Sequence, residues 1–254
     1  MCNGSIMDKL ISFSLPLMVS GILQLAFNAV DIIVVGRFSG SQALAAVGST
    51  TALINVFTNL FIGISLGANV LAARFYAAGK DREMSETVHT SITLALISGI
   101  MMAVIGVLLA KWALEIMGTP DDVIGQSALY MRIYFMGMPF FMLYNYGAAI
   151  LRAIGDTKRP LIFLIISGIA NAALNMILVI LFHMGVAGVA IGTIISQLIS
   201  CVLVLTCLYR SEGSYQLRFS KLKINGAYME QIFQVGVPAG IQSTVINLSN
   251  ALLQ

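Results

Sequence analysis

The chain has 254 residues, of which 58% are hydrophobic and 10% charged, with a net charge of +3. An average soluble domain carries roughly 25% charged residues, and a domain of this size still needs a polar skin around its core. The composition therefore excludes an ordinary soluble fold, and the absence of a basic block excludes a nucleic-acid partner.

The placement of the charges says more than their number. None lies between Arg37 and Arg74, between Glu86 and Lys111, or between Arg159 and Arg210. Each gap exceeds the roughly 20 apolar residues that cross a bilayer as a helix. Spans are expected near residues 10–35, 44–76, 88–110, 124–151, 161–182 and 189–208. A polar stretch follows at 209–225, and a seventh span opens near Tyr228. The first apolar run is too long for a cleavable signal peptide, and no small-residue cleavage pattern follows it.

The expected fold is thus an all-α membrane protein, a six-transmembrane-helix lobe plus the start of a seventh helix. Its parts are a lobe over 1–209, an inter-lobe linker over 210–227, and a partial first helix of a second lobe over 228–254. With the N-terminus in the cytoplasm, the inner loops hold eleven Lys and Arg residues, from Lys9 through Lys223. The outer loops hold only Arg37 and Lys111, and Arg132 lies within a span. That bias follows the positive-inside rule. Trp112, beside Lys111, reads as an outer interfacial anchor.

Laying the segment from Leu10 over the one from Ile232 brings Pro16 onto Pro238 and Asn28 onto Asn250. Two apolar helices align this way by chance often enough. In context the match suggests a parallel repeat whose second copy begins near Tyr228, a common transporter design.

Asp31 stands within the first span, after LAFNAV and before IIVV. An ionised carboxylate there costs at least about 2–3 kcal/mol by insertion scales. Two readings stand: an aspartate that reaches interfacial water, or a carboxylate that takes a proton or cation from an interior cavity. Other spans add polar groups: Tyr130, Tyr144 and Asn145; Asn171 and Asn175, one helical turn apart; Thr193, Ser196 and Gln197. Helix-to-helix hydrogen bonding accounts for such residues singly. As a set with Asp31 they suggest an oxygen-rich, hydrated site suited to a proton or hard cation.

Pro16 and Pro139 break helix hydrogen bonding and serve either as static kinks or as hinges. Gly63/Gly67 and Gly188/Gly192 have close-packing spacing. Cys2, Cys201 and Cys207 lack metal-ligand spacing, and His89 and His183 fall at or near span ends. Enzyme chemistry finds no paired carboxylates and no nucleophile with a base. No glycine-rich loop followed by lysine is present to hold ATP. No cofactor is expected.

Three stretches give the chain its resemblance to a known family: LPLMVSGILQLAFNAVDIIVVGRFSGSQALAAVG, GISLGANVLAARFYAAGKDRE and LRAIGDTKRP. They resemble the first half of a MATE transporter, of the multidrug and toxic compound extrusion family. The resemblance implies two six-helix lobes around a central cavity in the plasma membrane. It also implies export of amphipathic or cationic compounds, driven by H⁺ or Na⁺. Asp31, Asn145, Asn171, Asn175 and Thr193 resemble the first-lobe cation or proton site, with Pro16 as a hinge. Asn175 stands where some members carry a second aspartate, a departure that leaves Asp31 the only deep carboxylate. The alternatives are a lipid-linked sugar flippase of the same superfamily, or a non-transporting membrane subunit or decayed product. The flippase calls for several basic residues in the cavity, and the spans offer only Arg132.

Overall fold

A computed structural model of the chain describes residues 6–252. Cys2 and Gln254 lie outside that range, and the side chains of residues 6, 9, 52 and 246–252, hence Lys9 and Asn250, are likewise outside the description. Among the described residues there are eight α-helices and no strand. They are α1 (Ile6–Phe38), α2 (Gly40–Ala77), α3 (Asp81–Ile116), α4 (Asp121–Met136), α5 (Met138–Ala153), α6 (Lys158–Met176), α7 (Gly185–Arg210) and α8 (Gly226–Leu252). With no water in a bilayer core to satisfy peptide groups, apolar segments of this length close their hydrogen bonds internally.

Five helices are each long and apolar enough to cross a membrane: α1, α2, α3, α7, and α6 with its continuation to Leu181. The span expected at 124–151 is built from two shorter helices, α4 and α5, with Gly137 between them. The backbone of Gly137 stays in the right-handed helical region (φ −79°, ψ −11°), and the amides of Phe140 and Phe141 both turn to its carbonyl. The joint exists because Pro139 has no amide proton to continue the ladder. One 16-residue helix at 1.5 Å per residue reaches only about 24 Å, too short for a core of about 30 Å, so a crossing here takes both helices.

Two apolar clusters hold the bundle. One gathers Val34, Val35, Ala46, Met102, Met131 and Phe135 from α1 to α4. The other gathers Met84, Val88, Leu151, Val204, Leu208 and Leu217 around the first turns of α3 and the last turns of α5 and α7. Leu217 belongs to the linker, which folds back so that its amide donates to the Leu208 carbonyl at 3.0 Å.

The closest helix pair is α2 with α8. A Cβ built on Gly63 would sit 2.0 Å from Cα of Gly240, and one on Gly67 would sit 2.1 Å from the Ile232 carbonyl oxygen. Gly236 and Gly240 press reciprocally on Ile64 and Leu60. The glycine spacing at 63 and 67 thus serves an antiparallel crossing with a matching pair on α8, the small-residue contact that lets membrane helices touch backbone to backbone. Trp112 is exposed near the end of α3, next to the Lys111–Glu115 pair. Arg132 is exposed on α4 and forms no ion pair among the described residues.

Candidate functional site

The site begins with how α1 meets α6. The ring of Phe27 lies on Gly168, where a Cβ would come within 2.0 Å of it. One turn further along α1 comes Asp31, and two turns beyond Gly168 on α6 comes Asn175. Because the two helices run in parallel, the first contact sets the second. Nδ2 of Asn175 donates to Oδ1 of Asp31.

A chain of amides continues from there. Nδ2 of Asn175 also donates to Oδ1 of Asn171 at 3.4 Å, and Nδ2 of Asn171 donates to Oγ1 of Thr193 on α7 at 3.4 Å. Thr193 in turn donates to the Val189 carbonyl of its own helix at 2.9 Å. Asn171 and Asn175 are buried, Asn175 completely, while Asp31 and Thr193 are half-buried. Both donor positions of Asn175 point at acceptors, which orients its amide. Its Oδ1 is left buried with no partner among the described residues, and it faces Gly192, where a Cβ would lie 2.1 Å away. The glycine at 192 therefore makes room for that oxygen. Buried polar atoms in proteins are nearly always satisfied, so an orphaned carbonyl oxygen beside a carboxylate marks a place for a water, a proton carrier or a cation.

Just after Asn175 the helix widens into a π-turn, Ile177–Leu181. Such turns gather at functional sites because they release carbonyls from the ordinary ladder. Tyr130 and Tyr134 of the α4 segment lie within electrostatic range of Asp31, and Gln197 of α7 lies against Tyr134. The Gln197 Oε1 is also buried and has no hydrogen-bond partner among the described residues.

The polar residues picked from sequence thus divide. Asp31, Asn171, Asn175 and Thr193 form one connected chain across α1, α6 and α7. Asn145 donates to the Phe141 carbonyl of its own helix at 2.8 Å, and no hydrogen bond joins it to the chain among the described residues. Tyr144 points away, donating to the Pro160 carbonyl at 3.1 Å. Ser196 bonds back to Thr193 at 2.8 Å. Tyr134 and Gly192 complete the surroundings. In sequence Gly192 has only close-packing spacing and Tyr134 carries no mark, since an aromatic in an apolar helix has no signal of its own. Pro16 is buried inside a continuous α1, and its carbonyl accepts from Ser20 Oγ at 2.8 Å.

The family model described as MatE matches residues 16–177, well over half of the chain. "Probable multidrug resistance protein YoeA" of Bacillus subtilis (strain 168) is 34% identical over 93% of this chain and 53% of that protein. "Multidrug export protein MepA" of Staphylococcus haemolyticus (strain JCSC1435) is 28% identical over 97% of this chain and 56% of that protein. The chain spans about half the length of these curated relatives. Among solved structures, one described as "Crystal structure of MATE in complex with MaL6" superposes with a TM-score of 0.91. It is 22% identical and is matched over 98% of this chain and 56% of that one.

Proposed function

Because the chain belongs to the MatE family, we propose that it forms the first lobe of a cation-coupled antiporter that exports amphipathic, often cationic compounds. The second lobe would open with α8, with 1–209, 210–227 and 228–254 as lobe, linker and opening of the second lobe. The protein is multi-pass; its membrane is the plasma membrane, and its N-terminus is cytoplasmic.

The observation that carries this reading is the Asp31 carboxylate, two turns before the end of α1 and held by Asn175, beside an Asn175 Oδ1 that has no partner among the described residues. A carboxylate and an amide oxygen in a low-dielectric surround are hard ligands, suited to H⁺ or Na⁺ and unsuited to soft metals. Binding an ion there removes a buried charge. If the two conformations of α1 expose Asp31 to different degrees, the ion binds them with different affinity and shifts their ratio. Pro16 is the flexible point in this scheme. The part of α1 before it leaves a cleft of about 430 Å³ between Ser12, Phe13 and the 154–158 loop, room for that segment to move. The relatives' names, multidrug resistance and multidrug export, support the class of substrate.

The test is dye efflux by the complete transporter in proteoliposomes under an imposed H⁺ or Na⁺ gradient. Export of a cationic dye under one of the two gradients is the expected result. No export of any cationic dye under either gradient sinks the proposal and returns the flippase or non-transporting readings. Orientation is checked separately with a single cysteine placed by Lys158→Cys, with the native cysteines replaced. A membrane-impermeant maleimide should label it only after the membrane is opened. Labelling from outside in intact cells reverses the topology.

A further inference from the structure

The linker between α7 and α8 is gripped by side chains. His89, buried near the start of α3, holds the Ser85 carbonyl through Nδ1 at 2.6 Å and accepts the Arg218 amide on Nε2 at 3.1 Å. Both ring nitrogens are thereby used, which assigns the neutral Nδ1–H tautomer. Thr90 Oγ1 accepts the Asn225 amide at 3.2 Å, and the Asn225 side chain donates to Glu86 at 2.9 Å.

This pinning leaves an open cleft of about 760 Å³, lined by Arg82, Glu86, His89, Lys221, Lys223 and Asn225. Its one carboxylate, Glu86, already receives Arg82 Nε at 3.0 Å as well as Asn225. Lys221 and Lys223 form no ion pair among the described residues. The cleft is therefore a cationic receptacle whose anion is spent on holding its own wall.

Two further features fix its surroundings. Tyr209 and Phe219 stack at 5.8 Å with an interplanar angle of 27°, and both rings are exposed. Exposed aromatics flanked by Arg210 and Arg218 are the residue types that settle at a membrane–water interface. Along α3, the stripe that carries Arg82, Glu86 and His89 continues, at 3.6 residues per turn, into Ile97, Ile100 and Val104, all exposed. A headgroup in the cleft would thus have its acyl chains on an apolar track of the same helix.

We propose that this cleft is a headgroup site for an anionic phospholipid, and that the inter-lobe linker lies in the membrane interface. Arg82, Lys221 and Lys223 take the phosphate, the Tyr209–Phe219 pair sits at headgroup depth, and the lipid tails follow Ile97, Ile100 and Val104. The site is independent of the transport reading and holds for whichever leaflet the linker faces.

The chain has a single tryptophan, Trp112, so a reporter is readily placed. In a Trp112→Phe background, the indole introduced by Phe219→Trp is followed in purified protein reconstituted with brominated phosphatidylglycerol or brominated phosphatidylcholine. Brominated phosphatidylglycerol should quench it preferentially. One cation near an anionic surface contributes roughly fivefold in local binding, so Lys221→Gln with Lys223→Gln should bring the preference close to unity. Equal quenching by the two lipids in the parent protein overturns the headgroup site, and so does a preference that survives the double lysine substitution. No quenching by either lipid overturns the interfacial linker. A preference erased by millimolar inorganic phosphate assigns the cleft to the free anion and overturns the lipid.

Discussion

Asp31→Asn in the complete transporter is expected to insert and fold normally and to lose ion-driven export. Normal folding follows from geometry. Asn175 donates to Oδ1 of residue 31, and an asparagine there offers a carbonyl oxygen in the same place. The Phe27–Gly168 contact that brings α1 to α6 is untouched. What disappears is the group that changes charge. Under the proposed coupling, an H⁺ or Na⁺ then has no means of preferring one conformation of α1 over the other, and the gradient no longer biases the cycle. Allosteric couplings between sites are typically about 1–3 kcal/mol, or about 5- to 150-fold in affinity, so gradient-driven dye export should fall by a factor in that range. Because linkage is reciprocal, the variant should also bind dye with an affinity that no longer responds to the coupling ion. Both quantities are measurable in one preparation, by dye efflux from proteoliposomes and by dye fluorescence anisotropy in detergent. Wild-type export under the same gradient would remove Asp31 from the coupling scheme and leave it a polar residue near the interface.

Much of this architecture was legible in the sequence because the bilayer imposes a simple rule. Long charge-free runs must be helices, so α2 and α3 followed from the gaps between charges, and α1, α6 and α7 from the charges together with the Gly and Pro breaks. The joint at Gly137 was less legible: Pro139 announced a disturbance, but not that the rod would divide into α4 and α5. Within the site, Asn171 and Asn175 were readable as one face from their four-residue spacing. That they meet Asp31 was not, since it depends on Phe27 fitting over Gly168, a pairing 141 positions apart. Asn145 shows the converse. In sequence it belongs with the polar set, whereas in the fold its amide donor turns back to Phe141, a local option open to any asparagine in a helix. The linker was the least legible part. In sequence it is only a polar stretch between spans, and only the fold brings Arg218, Asn225 and the buried His89 together.

Gly63→Val should be among the most destabilising single substitutions in the chain. A Cβ at this position falls 2.0 Å from Cα and 2.2 Å from the amide nitrogen of Gly240. Both are backbone atoms of a neighbouring helix, so no side-chain rotation relieves the clash, and α2 and α8 must move apart. That separation would pull on the neighbouring contacts of Gly67 with Ile232 and of Gly236 with Ile64, and it would uncover Ile232, which is fully buried. Overpacking a well-filled interface costs about 1–3 kcal/mol, and at about 2–4 °C per kcal/mol for a chain of this size the melting temperature in detergent should fall by roughly 5–10 °C. Gly21→Ala supplies the control. Nothing lies within 4 Å of a Cβ at Gly21, and alanine favours a helix over glycine by about 0.8–1 kcal/mol, so that variant should melt no lower than the parent. The two substitutions separate a general intolerance of added bulk from a specific backbone crossing. If Gly63→Val melts with the parent, α2 and α8 do not approach this closely, and the docking of the α8 helix on the first lobe must be redrawn.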